Sequence, residues 1–309
     1  MSEKKILYED GTAYEKIVGV WNKLLGTKFI EWLNHASGQS WIDIGCGTGA
    51  FTAQIAELCS PSKLLGIEPS EAQIEFARKR PMAHQVTFQT GDATALACES
   101  SSFDVATMAL VLYFLPNPAL GVNEMKRVVK PGGIIATYDW DVPGGGLPHE
   151  WLHKELRKRG IGYPLPPNAE VSRMDELEKL WDKAGLRSIE CKQFRATRTF
   201  TNFKELWDIS MKAPAFSGVF DDLAPEVISD IRSTVESELK QSSSGSVSIH
   251  AHANAIKGII WLNFNNSCSK NNRRLYSQLK LICLVFVSIN DWYFFLSPEL
   301  FTKRIEFKD

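Results

Sequence analysis

The chain has 309 residues, of which 44% are hydrophobic and 23% are charged, and its formal net charge is −1. These values are typical of one large globular domain or two small ones. The balanced charge argues against nucleic acid or an anionic membrane as a partner, because both usually require a basic surface.

The cysteines and the apolar runs indicate a cellular compartment. The six cysteines are scattered without a C-x-x-C pair, and the first residues do not form a secretory signal. These features predict a reduced, cytoplasmic protein. The apolar run at 281–289 is too short to span a bilayer, so we expect no stable membrane insertion.

The first segment, residues 12–35, carries apolar side chains at helical spacing, which predicts one or two amphipathic helices. These helices could simply pack on the domain. They could also form a lid, in which case Tyr14 and Trp21 would contact a bound substrate. The residues alone leave both interpretations open.

Residues 40–50 form the most informative stretch, because a short apolar strand is followed by alternating glycines and the start of a helix. Such a turn lets a ligand approach the main chain, and the helix N-terminus offers free N–H groups. Gly45-x-Gly47-x-x-Ala50 fits a dinucleotide-binding fingerprint. Asp43 favours a different ligand, because an acid beside the turn would repel a pyrophosphate and attract a positively charged group such as the ammonium or sulfonium of S-adenosylmethionine.

A second strand is predicted over residues 63–67, and it ends at Glu68. An acid at this position can accept hydrogen bonds from ribose hydroxyls. Ser70 and Gln73 then form a predicted capping box for the next helix.

A third strand around Val86 and Phe88 leads into Gly91-Asp92-Ala93. This tripeptide predicts either a simple turn or an aspartate that accepts a hydrogen bond from an adenine amino group. Considered alone, the residues favour the turn.

The next elements continue the alternation of strands and helices. A fourth strand begins at Phe103-Asp104, a helix over 118–129 ends at Lys130-Pro131-Gly132-Gly133, and a fifth strand covers 134–140. Apolar strands that alternate with helices predict a parallel sheet covered on both faces.

The second half predicts how the sheet is completed. A helix over 173–184, a strand over 186–199, a helical cap at about 202–242 and a last strand over 247–256 follow in order. We therefore predict a doubly wound, mostly parallel seven-stranded α/β sheet with an antiparallel last strand and a helical cap insertion. Large cap side chains could line a substrate pocket or attach the cap to the sheet; those chosen for the pocket are Trp207, Met211 and Phe216.

Together these motifs resemble the class I S-adenosylmethionine-dependent methyltransferases, especially the small-molecule branch that includes ubiquinone and menaquinone methyltransferases. The resemblance covers about residues 8–258 and implies a methyltransferase domain over 1–258. It implies methyl transfer from S-adenosylmethionine to a small, partly apolar molecule. The motifs that carry it occur in the family's order: Asp43-x-Gly45-x-Gly47-x-Gly49, Glu68, Gly91-Asp92-Ala93, Phe103-Asp104 and Lys130-Pro131-Gly132-Gly133.

The resemblance also implies roles for individual residues. The glycine loop would hold the methionine end of the cofactor, Glu68 the ribose and Asp92 the adenine amino group. Met108 and Ala109 would lie beside the sulfonium. The complete implied set is Asp43, Gly45, Cys46, Gly47, Gly49, Glu68, Pro69, Gly91, Asp92, Ala93, Met108 and Ala109.

The implied reaction is an in-line methyl transfer, in which the protein mainly aligns the reactants. A base is needed only when the acceptor must lose a proton. The candidate bases are Tyr113, Asp139 and His149, with Asp141 nearby. Related enzymes often carry a histidine at the position of Tyr113, so the acceptor chemistry is left open.

His149-Glu150-Trp151-Leu152-His153 matches the H-E-x-x-H zinc motif. No third ligand is evident, so we predict no metal site. We expect this segment to be a solvated helix or to place one histidine at the mouth of the substrate pocket.

Residues 259–309 differ in composition from the rest of the chain, since they contain neither glycine nor alanine. We favour a dispensable tail translated from outside the ancestral reading frame. The alternatives are a packing helix and a segment that binds a membrane surface or a partner.

Other functions remain possible at this point. The dinucleotide fingerprint allows an NAD-dependent dehydrogenase, and fold alone allows a non-catalytic cofactor-binding scaffold. We expect a monomer or homodimer that acts on a small molecule and not on nucleic acid.

Overall fold

The computed structural model describes residues 19–213, 216 and 218–261. Tyr14 and the tail beyond Trp261 lie outside the described residues. The helices are α1 Val20–Leu33, α2 Ala50–Cys59, α3 Glu71–Arg78, α4 Pro118–Val128, α5 Glu150–Lys158, α6 Met174–Lys183, α7 Phe203–Ser210 and α8 Pro225–Glu238. The strands are β1 Ser40–Ile44, β2 Lys63–Glu68, β3 Thr87–Thr90, β4 Phe103–Ala109, β5 Val129–Trp140, β6 Arg187–Phe200 and β7 Val247–Ile259.

The strands form one seven-stranded sheet in the order β3-β2-β1-β4-β5-β7-β6. Neighbours from β3 to β5 are parallel, and β7 is antiparallel to both β5 and β6. The predicted fold class is confirmed. The chain moves outward from β1 to β3 and then returns to the other side of β1 at β4. This reversal opens a crevice at the carboxyl ends of β1 and β4, where ligands bind in sheets of this kind.

The sheet is covered on both faces, because successive strand residues point to opposite sides. Trp41 of β1 packs in a large core with Phe29 of α1 and Tyr138 of β5. Its neighbour Ile42 packs in a second core that includes Trp181 of α6. No helix in the described part of the chain is both long and apolar enough to cross a membrane.

The strands β5 and β7 extend several residues beyond their predicted bounds. β5 already starts at Val129, so Lys130-Pro131-Gly132-Gly133 lies within the strand and does not precede it. β7 continues to Ile259. The next residue, Ile260, still pairs with β5: the Ile260 N–H donates to the Gly133 carbonyl at 3.0 Å, and the Gly132 N–H donates to the Ile260 carbonyl at 2.8 Å. The sheet therefore extends past the boundary at residue 258, because backbone pairing and not composition determines where the strand ends.

Candidate functional site

A cavity of about 1380 Å³ lies at the carboxyl ends of β1, β2, β4 and β5. Its floor is formed by the glycine loop and the ends of these strands. The remaining walls come from α1, the start of α5, residues 161–167 and the cap loop between α7 and α8. The cavity is therefore located where the reversal in strand order predicts a ligand site.

The glycine loop turns tightly at the floor of the cavity. Gly45 and Gly47 have φ values of +76° and +54°, a region that favours glycine. A Cβ atom on Gly45 would lie 2.5 Å from a methyl carbon of Val111. Gly49, the third glycine, packs against Ala77 and Phe88 and does not line the cavity. The first two glycines thus shape the ligand surface, whereas the third joins the loop to the neighbouring helix and strand.

Asp43 lines the cavity although the residue is only 1% exposed. The Thr52 hydroxyl donates to one of its oxygens at 2.6 Å, and the Thr107 hydroxyl lies 3.4 Å from the other. Burial raises the pKa of Asp43 to about 7, although these two hydrogen bonds lower it in part. No lysine or arginine of the described residues forms an ion pair with it. The carboxyl group is therefore suited to a positively charged ligand.

Glu68 connects the end of β2 to the glycine loop. One of its carboxylate oxygens accepts from the Gly47 N–H and the other from the Ser70 N–H, both at 3.1 Å. Burial raises the pKa of Glu68, and these backbone hydrogen bonds counteract part of the rise. Glu68 also lines the cavity beside Pro69, so it can meet a ligand and hold the loop at the same time.

The predicted capping box is only half formed. The Ser70 hydroxyl accepts from the Gln73 N–H at 3.4 Å, as expected. The Ser70 N–H is bound by Glu68, so the Gln73 side chain is not needed there and lines the cavity beside Gly47 instead.

Asp92 forms the turn that the residues alone favoured. One of its oxygens accepts from the Thr94 N–H at 2.7 Å and from the Thr94 hydroxyl at 2.8 Å. The backbone hydrogen bond, together with that of the hydroxyl, lowers the pKa of Asp92. Gly91, Asp92 and Ala93 all line the cavity, so the turn also places an ionised carboxylate there.

The prediction that Met108 contacts the cofactor is wrong. Met108 is fully buried in the core behind the sheet, where its side chain packs near Gly121 of α4. Its neighbour Ala109 lines the cavity. Because side chains alternate along a strand, only one of the two can face the ligand side.

The three candidate bases are in different environments. Tyr113 and His149 line the cavity, whereas Asp139 does not. Asp139 is fully buried, and burial raises its pKa to about 8 despite hydrogen bonds from Thr137 and the backbone of residues 111–113. The choice of Asp139 as a base is therefore wrong, since its carboxyl group holds the turn after β4 and does not meet a substrate.

His149 faces the cavity at the start of α5. Burial, together with the smaller effect of the positive charge of Arg198, lowers its pKa to about 4. Its ring is therefore neutral at pH 7 and is a weak base. Asp141, the other nearby acid, lies 3.3 Å from His252 outside the cavity wall.

His153, the second histidine of the H-E-x-x-H segment, also lines the cavity but is 2% exposed. Its ring stacks on Tyr163, with centroids 4.3 Å apart and planes inclined by 6°. Phe216 packs against the rings of both His149 and His153, each at 5.2 Å. The described residues contain no group of three or more side chains arranged to hold a metal ion.

The predicted substrate residues are only partly in place. Trp21 lines the cavity and packs edge-on against Trp140, with ring centroids 6.4 Å apart. The cap residues Trp207, Met211 and Phe216 do not line it. Trp207 and Phe216 each pack against Phe220, and Phe216 also packs on the two histidines, so these side chains make packing contacts that hold the cap.

Several cavity residues were missed by sequence reasoning. The cap contributes Ala213, Val219, Asp222 and Leu223, and the whole segment 161–167 forms another wall. This segment has no regular period, so its position could not be derived from a pattern. Its three prolines, Pro164, Pro166 and Pro167, were the only local signal, and they indicate an extended loop and not a ligand.

Comparison with known proteins agrees with this geometry. Residues 42–137 match the methyltransferase domain family. A demethylmenaquinone methyltransferase of Lactococcus lactis is 33% identical over 120 residues, which are 38% of this chain and 48% of that protein. An uncharacterized 37.1 kDa protein in transposon TN4556 of Streptomyces fradiae is 34% identical over 116 residues, or 36% of this chain and 34% of that protein. The chain thus spans half or less of the length of these relatives.

Solved structures share the fold over a longer range. Phosphoethanolamine N-methyltransferase 2 of Haemonchus contortus superposes with a TM-score of 0.51 and 20% identity, covering 81% of this chain and 57% of that one. The YcgJ protein of Bacillus subtilis superposes with a TM-score of 0.50 and 16% identity, covering 77% of this chain and 98% of that one. These likenesses show that residues 42–137 match the methyltransferase domain family and that the chain shares its fold with a solved methyltransferase.

Proposed function

We propose that this protein is a methyltransferase that uses S-adenosylmethionine to methylate a small, partly apolar organic molecule. The observation that carries the proposal is the cavity described above, in which an acidic, glycine-rich floor meets aromatic walls. The floor suits a cationic cofactor, and the walls suit an apolar acceptor.

The floor fits S-adenosylmethionine in both charge and shape. Gly45 and Gly47 expose backbone to the ligand, and Asp43 offers a buried carboxyl group with no cation of its own among the described residues. Glu68 and Asp92 would take the ribose hydroxyls and the adenine amino group. When bound, the cofactor supplies a methyl group made electrophilic by a positively charged sulfur.

The chain's own residues would mainly align the acceptor and exclude water. Trp21 and Trp140 form an aromatic wall, and the cap loop adds a largely apolar one through Ala213, Val219 and Leu223. Tyr113 is the remaining candidate base, because Asp139 does not line the cavity and the neutral ring of His149 is a weak base. A strong base is needed only for an acceptor that must lose a proton.

The acidic residues in the floor of the cavity also argue against a dehydrogenase. A pyrophosphate seated on the glycine loop would meet Asp43 and Glu68, and no lysine or arginine of the described residues lines the cavity to offset them. The relatives and structures named above also include methyltransferases and no named dehydrogenase.

Calorimetry tests the cofactor. We expect binding of S-adenosylmethionine and S-adenosylhomocysteine and no heat of binding with NAD. Binding of NAD alone would overturn the proposal. The exchange Glu75→Ala on the exposed face of α3 provides a control, because Glu75 does not line the cavity.

A labelled metabolite extract tests the acceptor and distinguishes an enzyme from a scaffold. Purified protein would be incubated with S-adenosylmethionine carrying a labelled methyl group and a fractionated extract. We expect sustained formation of S-adenosylhomocysteine and label in a low-mass organic fraction. Label confined to macromolecules would refute the small-molecule acceptor, and absence of turnover with every fraction would favour a scaffold.

A further inference from the structure

The wall formed by the start of α5 carries two imidazoles that the proposed methyl transfer leaves without a role. His149 and His153 are one helical turn apart and both line the cavity. Phe216 of the cap packs on both rings, and Tyr163 stacks on His153. These aromatic contacts fix the ring planes, so the directions in which the nitrogens can form hydrogen bonds are fixed as well.

The hydrogen-bonding capacity of His153 is unused within the described residues. Neither Nδ1 nor Nε2 has a protein partner there, although the residue is only 2% exposed. Leaving a buried donor or acceptor unpaired costs about 1–3 kcal/mol, so buried polar groups without a protein partner require an explanation. A phenylalanine would keep the ring contacts without this cost. Two ring nitrogens without a protein partner at a cavity wall indicate that a bound ligand supplies the hydrogen-bonding partner.

Charge restricts what that partner can be. Burial is the main cause that lowers the pKa of both rings, so both are neutral near pH 7. Arg198 adds to the effect at His149, and His149 followed by Arg157 adds to it at His153. The carboxylate of Glu150 is already paired with Arg157. A neutral imidazole beside positive charge suits an oxygen better than an ammonium group.

Other acids near this wall do not change that preference. Glu205 accepts hydrogen bonds from the Thr201 N–H and hydroxyl at 2.7 and 2.6 Å. Asp222 lines the cavity from the exposed cap loop, and it is the place where an amine could bind instead. An amine held by Asp222 is therefore the competing outcome that an experiment must separate.

We propose that His149 and His153 form an acceptor-recognition pair that hydrogen-bonds an oxygen-bearing group, such as an alcohol, phenol or carbonyl, on an apolar acceptor. His149 makes the contact at the cavity surface, and His153 completes the site behind it. The inference rests on the proposed function, because it assigns the substrate class of the same cavity. Both histidines act in binding, since neutral rings of this kind are weak bases.

The test compares two probes of the same shape in the presence of S-adenosylhomocysteine. 2-Naphthalenemethanol carries the hydroxyl, and 2-naphthalenemethylamine carries an ammonium group at pH 7.5. Saturation-transfer NMR would measure the affinity of each probe for the full-length protein. We expect the alcohol to bind at least about 10-fold more tightly than the amine, as one hydrogen bond worth about 1.4 kcal/mol implies.

Variants assign the effect to the two rings. His149→Phe and His153→Phe should each remove the preference for the alcohol, whereas His149→Asn should retain part of it. His84→Phe is the matched control, because His84 is exposed and does not line the cavity. In the unmodified protein, the side-chain nitrogen resonances of His149 should shift when the alcohol is added. A purely structural role would leave them unchanged.

The outcomes are separable from those of the proposed function. The affinity for S-adenosylhomocysteine should be unchanged in all these variants, which also shows that they are folded. Equal affinity for both probes, preference for the amine, or alcohol binding unaffected by either Phe exchange would overturn the recognition pair. So would no binding of the alcohol at about 1 mM, the range where weak but specific ligands are still detected. Failure of the unmodified protein to bind S-adenosylhomocysteine would refute the proposed function itself.

Discussion

An aspartate has opposite roles at the two ends of the parallel strands. We call the side of the sheet where β1, β4 and β5 begin the amino edge, and the side where they end the carboxyl edge. At the amino edge, Asp104 accepts from the Ser40 N–H at 2.8 Å and the Ser40 hydroxyl at 2.6 Å, and Lys130 lies 2.8 Å from its other oxygen. Burial acts to raise the pKa of Asp104, but these hydrogen bonds outweigh it and hold the pKa below its ordinary value. At the carboxyl edge, Asp43 is paired only with hydroxyls, and its pKa rises to about 7.

This difference separates a structural acid from a binding acid. Asp104 has its cation inside the protein and connects β1, β4 and β5. Asp43 has no cation among the described residues and faces the cavity. A buried carboxyl group without a cation is energetically costly. Finding one at a cavity therefore indicates a functional site more specifically than finding an aspartate there does.

The largest expected effect is at the carboxyl edge, for Glu68→Ala. This change removes the proposed ribose contact and the hydrogen bond to the Gly47 N–H. Loss of a hydrogen bond to a charged group should weaken binding of S-adenosylhomocysteine by about 1–3 kcal/mol, or roughly 5- to 150-fold. Calorimetry measures it, with Glu75→Ala as the control. An unchanged affinity would exclude Glu68 from the cofactor site.

Asp104→Ala should have the opposite signature. Removing this carboxylate leaves Lys130 and Ser40 without their partner, so the free energy of unfolding should fall by about 1–2 kcal/mol. Denaturant titration measures this loss. Cofactor affinity should be unchanged at a temperature where the variant is folded. A marked loss of affinity would show that the two edges are coupled.

The pH dependence should distinguish Asp43 from Asp104. The pKa of Asp43 is raised from 3.8 to about 7 in the fold, so the empty protein binds this proton more tightly than the unfolded chain does. Its contribution to stability is therefore fully present below about pH 4 and is lost as pH rises to about 7. A cationic ligand prefers the ionised form, so affinity for S-adenosylmethionine should rise with pH up to about 7 and release a proton.

Asp43→Asn isolates this effect from the neighbouring Glu68, whose pKa is also raised by burial. The variant should bind S-adenosylmethionine more weakly, with an affinity that varies less with pH. Calorimetry at pH 6 and 8, in buffers of different ionisation enthalpy, measures both the slope and the proton release. The same slope in the variant would mean that another group titrates.

The smallest effect is expected for shortening the chain. Truncation after Leu262 keeps the Ile260 hydrogen bonds to Gly132 and Gly133 at the amino edge, and should leave stability and cofactor affinity unchanged. Truncation after Gly258 removes those bonds and should lower the free energy of unfolding by about 1–2 kcal/mol. Thermal unfolding of both forms measures the difference. If the longer form also loses stability, the tail contributes to packing and is not dispensable.

Much of the fold could be predicted because it depends on local patterns. Apolar strands alternating with amphipathic helices predicted the sheet, and Gly45 and Gly47 predicted the turn that requires positive φ values. Element ends were less accurate, as at β5 and β7, because strand length depends on pairing with a neighbour distant in sequence.

Residues of the site could be predicted only where a local feature, such as the end of a strand, also determines the position of the functional side chain. Asp43, Glu68 and Asp92 could be predicted because each lies at or near the carboxyl end of a predicted strand, and all three line the cavity. Met108 and Asp139 were misplaced because the face of a strand that meets the ligand depends on what covers it. For the cap, an aromatic side chain such as Trp207 is equally compatible with a pocket and with a packing contact.

The order of the elements, the position of the glycine turn and the acids at the strand ends can be read from the amino-acid sequence, since these depend on spacing and backbone conformation. Whether an acid has a cation inside the protein depends on the packing of distant segments. The same packing brings residues 161–167 and the two histidines at the start of α5 to the cavity wall. Burial and charge pairing arise from contacts between distant segments, and no local pattern encodes them.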